Sequence, residues 1–154
     1  MTWLPLVGTL LGAVIALSSA LLVEQRRARR EDLRERRKMN QEVYARYLAA
    51  HAETRTKLRV LSVAPGLTDE ERGHQAFTAY ALCYAPRYEL AVLAPQAVLT
   101  LARDFDRCAR DLRDLIIDGT SVTSHGRERM QEYLDALALA HTVMRADLGA
   151  DTER

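Results

Sequence analysis

The side chains able to do chemistry are four histidines, two cysteines, six tyrosines and a set of aspartates between 104 and 118. His51, His74, His125 and His141 are far apart, and no His or Cys lies three or four residues from another. Helical metal sites need such pairs to bring ligands onto one face, so neither metal nor cofactor is expected. His141 falls on an apolar stripe and reads as a hydrogen-bonded core residue.

Cys83 and Cys108 have no Cys-x-x-Cys, nucleophile elbow or glycine-rich phosphate loop around them, and read as buried thiols. Cys83 lies twelve residues before Pro95 and Cys108 thirteen after it, so an antiparallel hairpin about Pro95 sets them at similar height. Tyr44, Tyr47, Tyr80, Tyr84 and Tyr88 either line a groove for a ligand or partner helix, or form a bundle core with hydroxyls at its rim. Asp104, Asp106, Asp111, Asp114 and Asp118 alternate with arginines and read as a solvated face. No residue cluster names a reaction, and no catalytic residue is expected.

The elements that hold these side chains begin with an uncharged apolar run at 4–23, followed at once by a strongly charged stretch at 24–38. About twenty apolar helical residues cover the roughly 30 Å of a bilayer's hydrocarbon core. A transmembrane anchor over 1–23 is therefore expected; a signal peptide lacks the leading positive charge it needs. Gly8, Gly12, Ala16 and Ala20 recur every four residues and line one face, a seam for self-association or a lipid-facing coincidence.

Residues 24–38 hold eight basic and four acidic side chains, a net of +4. Basic residues stay on the cytoplasmic side during insertion, which places the N-terminus outside and the C-terminal domain in the cytoplasm, at the inner membrane. Arg26, Arg27, Arg29 and Arg30 then meet the membrane surface, with anionic lipid headgroups as partner. The chain is +1 overall and 1–23 is uncharged, so residues 39–154 carry a net of −3. Nucleic acid is a poor fit, because the basic stretch is broken by Glu31, Asp32 and Glu35 and brings no stacking aromatics.

Beyond this stalk, sparse turn signals divide 39–149 into long segments. A stripe at Val43, Tyr47, Ala50, Thr54, Leu58 and Leu61 ends at Pro65-Gly66. Thr68 with Glu71 forms a capping box that opens a second helix, with Phe77, Tyr80 or Ala81, Tyr84, Tyr88 and Ala91 facing the core. Pro86 should kink or divide that helix. Pro95 opens a third, striped by Val98, Leu101, Phe105, Cys108, Leu112 and Leu115 and closed by Asp118-Gly119. The last helix, about 125–148, buries Met130, Tyr133 or Leu134, Leu137, His141 and Met144, and Gly149 closes it.

The chain is expected to be all-α: an anchor, a charged stalk, an antiparallel four-helix bundle at 39–149 and a disordered tail at 150–154. The junction 24–27, the segments 43–48 and 93–98 and the ending 144–149 resemble single-pass membrane proteins of actinobacterial type with a cytoplasmic helical domain. That resemblance implies anchorage and a bundle but no activity.

The leading expectation is a non-enzymatic interaction or scaffold module that binds an unidentified protein or a second copy of itself. Two alternatives stand beside it. One is a membrane-active effector of lysis, toxin or phage type, oligomerising through its anchor. The other is a ligand-binding or enzymatic bundle using the tyrosine-rich groove.

Overall fold

The computed structural model describes residues 4–119 and 126–150, with side chains from residue 18 onward. Its elements are α1 (Leu4–Val63), α2 (Asp69–Ala81), α3 (Tyr84–Leu93), α4 (Gln96–Ile117) and α5 (Arg127–Asp147), with no strand among the described residues. The chain divides into two compact units, Met1–Met39 and Asn40–Arg154.

In the first unit every described side chain, 18–39, is exposed. Arg27 and Glu31 meet at 3.2 Å, the i,i+4 pairing expected of a solvated helix. Among the described residues no helix is long and apolar enough to cross a membrane. Of the apolar run at 4–23, the side chains of 4–17 lie outside the described residues, Gly8, Gly12 and Ala16 included; Ala20 is exposed. Of the tail at 150–154, only Ala150 is described.

The second unit is a helical bundle whose contacts establish its directions. Arg46, Thr54 and Leu61 of α1 meet Glu89, Ala79 and Arg72 respectively, so α2 and α3 run antiparallel to α1. Tyr44 meets Asp147 and the backbone of His51 meets Tyr133, so α5 is also antiparallel to α1. Tyr80 reaches Asp106, while Gly73 approaches Ile117, which sets α2 against α4 in the same sense. The up-down order expected from short loops is the order found, with the second arm made of two helices.

Pro86 explains that division. Proline has no N–H to give to the carbonyl four residues back, here Leu82, and its ring crowds that carbonyl. The chain responds with a tight turn, Cys83 N–H donating to the Tyr80 carbonyl at 3.0 Å, before helix resumes with Arg87 N–H on the Cys83 carbonyl at 3.1 Å. The seam lies one residue earlier than expected on both sides of this turn: Ala76, Ala79, Tyr80, Cys83 and Leu90 are buried, whereas Phe77, Tyr88 and Ala91 are exposed. The capping box forms as expected, with Glu71 N–H on the Thr68 hydroxyl and Thr68 N–H on the Glu71 carboxylate.

On α4 the buried seam is Val98, Ala102, Phe105, Ala109, Leu112 and Ile116, one residue later at several steps than expected. Leu101, Cys108 and Leu115 flank it, half-buried. The apolar stripe is two residues wide at these steps, and the alanine of each early pair takes the centre because helices approach closest there. That leaves room for Tyr47, Tyr80, Tyr133 and Phe105, all almost fully buried. On α5 the seam runs through Tyr133, Ala140 and Met144. Stepping three rather than four residues after Leu137 reaches Ala140, so His141 is exposed and is not the core histidine expected. The left-handed Gly119 (φ 74°) stops α4 where Asp118-Gly119 was expected to do so.

Candidate functional site

The core histidine is His51, one turn after Tyr47 on α1 and one turn before Thr54. These three positions share the inward face of α1, so their polar atoms need partners from other helices. α4 supplies Asp106, which is 3% exposed. Tyr47 donates its hydroxyl to Asp106 Oδ1 at 2.7 Å, with the Ala102 carbonyl 3.2 Å away as a weaker second acceptor. His51 Nε2 stands 3.0 Å from the same Oδ1, at ion-pair distance but without hydrogen-bond alignment, and Nδ1 has no hydrogen-bond partner. Arg87, from α3, brings Nε to 3.6 Å from Asp106 Oδ2, its side chain 38% exposed. It is the one cation of the cluster that also reaches solvent.

Cys83 enters from the turn between α2 and α3. Thr54 donates its only proton to the Ala79 carbonyl at 2.9 Å, so the contact of 3.2 Å between Thr54 Oγ1 and Cys83 Sγ has the thiol as donor. The His51 ring is packed between Tyr47 and Phe105, each 4.6 Å away by ring centroids, and Phe105 leans on Tyr133 at 5.0 Å. Tyr133 closes the site by donating to the His51 carbonyl at 3.3 Å.

Burial disfavours the imidazolium of His51, but Asp106 and Cys83 outweigh it and raise its pKa above the ordinary histidine value. Burial raises Tyr47 as well, with Asp106 adding to the effect, and Tyr80 is pushed up to about 12 chiefly by burial. These tyrosines remain neutral donors at physiological pH.

Cys, His and Asp are the residue types of a nucleophile, base and orienting acid, but the geometry differs. Cys83 is 1% exposed and gives its proton to Thr54, while Nε2 faces the acid. A buried network of this kind couples α1, the α2–α3 turn and α4, and sets their register.

Of the two readings of the tyrosines, groove or bundle core, the core describes most of them. Tyr44, Tyr47 and Tyr80 are core residues, Tyr84 packs half-buried and edge-on to Tyr80 at 5.7 Å, and Tyr88 is exposed. Tyr44 instead donates to Asp147 at 2.6 Å, and Asn40 joins the same carboxylate at 3.1 Å. Asp106 corrects the solvated-face reading of the aspartates.

An open groove does exist, of about 620 Å³ between α1 and α2, lined by Lys57, Val60, Leu61, His74, Ala79 and Leu82 among others. It contains no tyrosine. Cys83 and Cys108 have separate surroundings, since Cys108 sits in the field of Asp111 and Glu132. One Glu-x-x-His spacing occurs, Glu71 to His74, but the Glu71 carboxylate is engaged by Thr68. Among the described residues no group of three or more acidic, His or Cys side chains could hold a metal ion. Arg26, Arg27, Arg29 and Arg30 are exposed on the helical segment of the first unit.

The inward phase of His51 and of Asp106, though not their pairing, was present in the sequence. Each follows a core residue one helical turn earlier: His51 four residues after Tyr47, Asp106 four after Ala102. No family model, curated protein or solved structure matches the chain.

Proposed function

We propose that this chain is a membrane-anchored, non-enzymatic helical bundle that docks an amphipathic helix of a partner protein in the groove between α1 and α2. The observation that carries the docking is that groove, open and largely apolar, beside a polar core that is sealed. Its two walls offer side chains at four-residue steps, Thr56 to Val60 and Lys57 to Leu61 on one, His74 to Thr78 to Leu82 on the other. Ridges at that spacing are what a third helix packs into. Val60 is 61% exposed and Leu82 39%, apolar surface that a partner would cover.

Anchorage is supported by the sequence, through the uncharged run at 4–23 and the net of +4 that follows it. The same asymmetry favours a cytoplasmic bundle at the inner membrane. The groove between α1 and α2 is favoured over a tyrosine-lined ligand site because Tyr44, Tyr47 and Tyr80 are in the core.

The test is crosslinking and mass spectrometry of the full-length protein in its native membrane, with Val60→Glu/Leu82→Glu compared with Val92→Glu. Val92, at 81% exposure on α3, controls for adding charge elsewhere. The proposal expects crosslinks from one recurring helical segment to α1 and α2, lost in the groove variant and kept in the control. Crosslinks confined to other faces, or indifferent to the groove substitutions, would overturn it.

A further inference from the structure

Read in order, residues 24–38 alternate between charges; wound into a helix, they are sorted. At about 100° per residue, Arg26, Arg27, Arg30, Arg34, Arg37 and Lys38 fall within an arc of about 120° that holds no carboxylate. Glu24, Glu31, Asp32 and Glu35 lie on the remaining surface, with Arg29 and Arg36. The basic face borders a concavity of about 540 Å³ lined by Val23, Arg26, Arg27, Arg30, Glu31 and Arg34. Among the described residues only Arg27 of its four arginines is ion-paired, to Glu31 at 3.2 Å. The others present free guanidinium groups side by side.

We infer that this face binds the phosphates of anionic lipid headgroups, an inference that rests on the membrane-anchored reading above. Position favours lipid. Arg26 stands one turn beyond Val23, the last residue of the apolar run, and Arg30 and Arg34 are about 10 and 16 Å beyond it along the helix. Those heights cover the headgroup layer and the screened field above it, which decays over roughly 8 Å at physiological salt.

Guanidinium forks suit phosphate oxygens, two donors to two acceptors. Single-stranded nucleic acid would want stacking platforms as well, and 18–39 contains no aromatic residue. The face also specifies orientation: one side of the helix gathers anionic lipid while the opposite, acidic side repels it.

The experiment uses full-length protein reconstituted in phosphatidylcholine vesicles containing phosphatidylglycerol. Spin-labelled versions of each lipid report the fraction held at the protein by electron spin resonance. Two double variants remove the same charge at matched heights: Arg30→Gln/Arg34→Gln on the face, and Arg29→Gln/Arg36→Gln off it.

The wild-type chain should prefer phosphatidylglycerol by about threefold, below the unscreened limit for several basic residues near a surface. The on-face variant should lose most of that preference and the off-face variant should keep it. Equal loss in both would overturn the inference, because net charge alone would then suffice. Absence of preference in a protein that resists carbonate extraction would also overturn it while leaving the anchor intact; extraction by carbonate would remove the anchored reading itself. Displacement of the labelled lipid by a single-stranded RNA at equal phosphate concentration would reassign the face to nucleic acid.

Discussion

His51 and Asp106 face each other from α1 and α4 at 3.0 Å, in a core where they are 1% and 3% exposed. Asp106 has both its hydrogen-bond donor, Tyr47, and its charge partner, His51, on α1. The pair therefore ties the packing of α1 on α4 to one register, with Tyr47 on the same carboxylate oxygen.

Removing one partner of such a pair leaves the other desolvated and alone. Asp106→Ala should destabilise the bundle by about 3 to 5 kcal/mol, and His51→Leu should also be destabilising. The double substitution Asp106→Leu/His51→Leu should cost less than the separate effects of the two leucine variants by about 1 kcal/mol or more. Chemical denaturation of the wild type, Asp106→Leu, His51→Leu and the double variant provides the cycle. Additivity within about 0.5 kcal/mol would contradict a coupled pair.

The pH dependence has a definite sign. The pKa of His51 is raised in the fold above its ordinary 6.5, with Asp106 and Cys83 outweighing desolvation. A raised pKa contributes stability that is complete below the unfolded value and is lost as pH rises through the folded value. The difference in melting temperature between wild type and His51→Gln should therefore shrink as pH is raised from about 6.5. A difference that grows over that window would mean that His51 is held neutral in the fold.

Phe105 and Phe77 separate the two faces of the bundle. Phe105 is 0% exposed and touches the rings of His51, Tyr47 and Tyr133. Phe105→Ala should cost about 3 to 5 kcal/mol. Phe77 is 53% exposed, with the Arg113 guanidinium 5.9 Å from its ring centroid, and Phe77→Ala should cost below about 1 kcal/mol. Thermal melts of the two variants provide the comparison, and similar losses would contradict the outward placement of Phe77 on α2.

These residues show where the sequence was legible and where it was not. The helix ends were, because capping and breaking are local: Thr68 with Glu71, Pro86 and Gly119 each act through atoms within a few residues. The phase of each stripe was harder to read. On α4, Leu101 and Ala102 are both apolar, and only the approach of neighbouring helices decides that the smaller one takes the seam. Phe77 looked like core by hydrophobicity, but the smaller Ala76 beside it takes the buried seam. The buried network depended on pairing across α1 and α4, which no local pattern encodes. Asp106 looked like its solvated neighbours because nothing nearby in sequence marks Tyr47 and His51 as its partners.

The cysteines should differ in reactivity. Cys83 is 1% exposed and donates to Thr54, whereas Cys108 is half-buried, its pKa raised by burial and then by Asp111 and Glu132. Maleimide should modify Cys108 slowly, accelerating as pH rises, and Cys83 only on unfolding. Peptide mapping of the labelled native protein reads this directly. Faster labelling of Cys83 would contradict the sealed core.

The topology of the full-length chain tests the anchored reading most directly. A cytoplasm-dependent reporter and a periplasm-dependent reporter, each fused after Arg154, are compared in cells whose membranes are then extracted with carbonate. The account predicts activity of the cytoplasmic fusion only, with the protein retained in the extracted membrane. Activity of the periplasmic fusion alone, or release of a folded protein by carbonate, would contradict it.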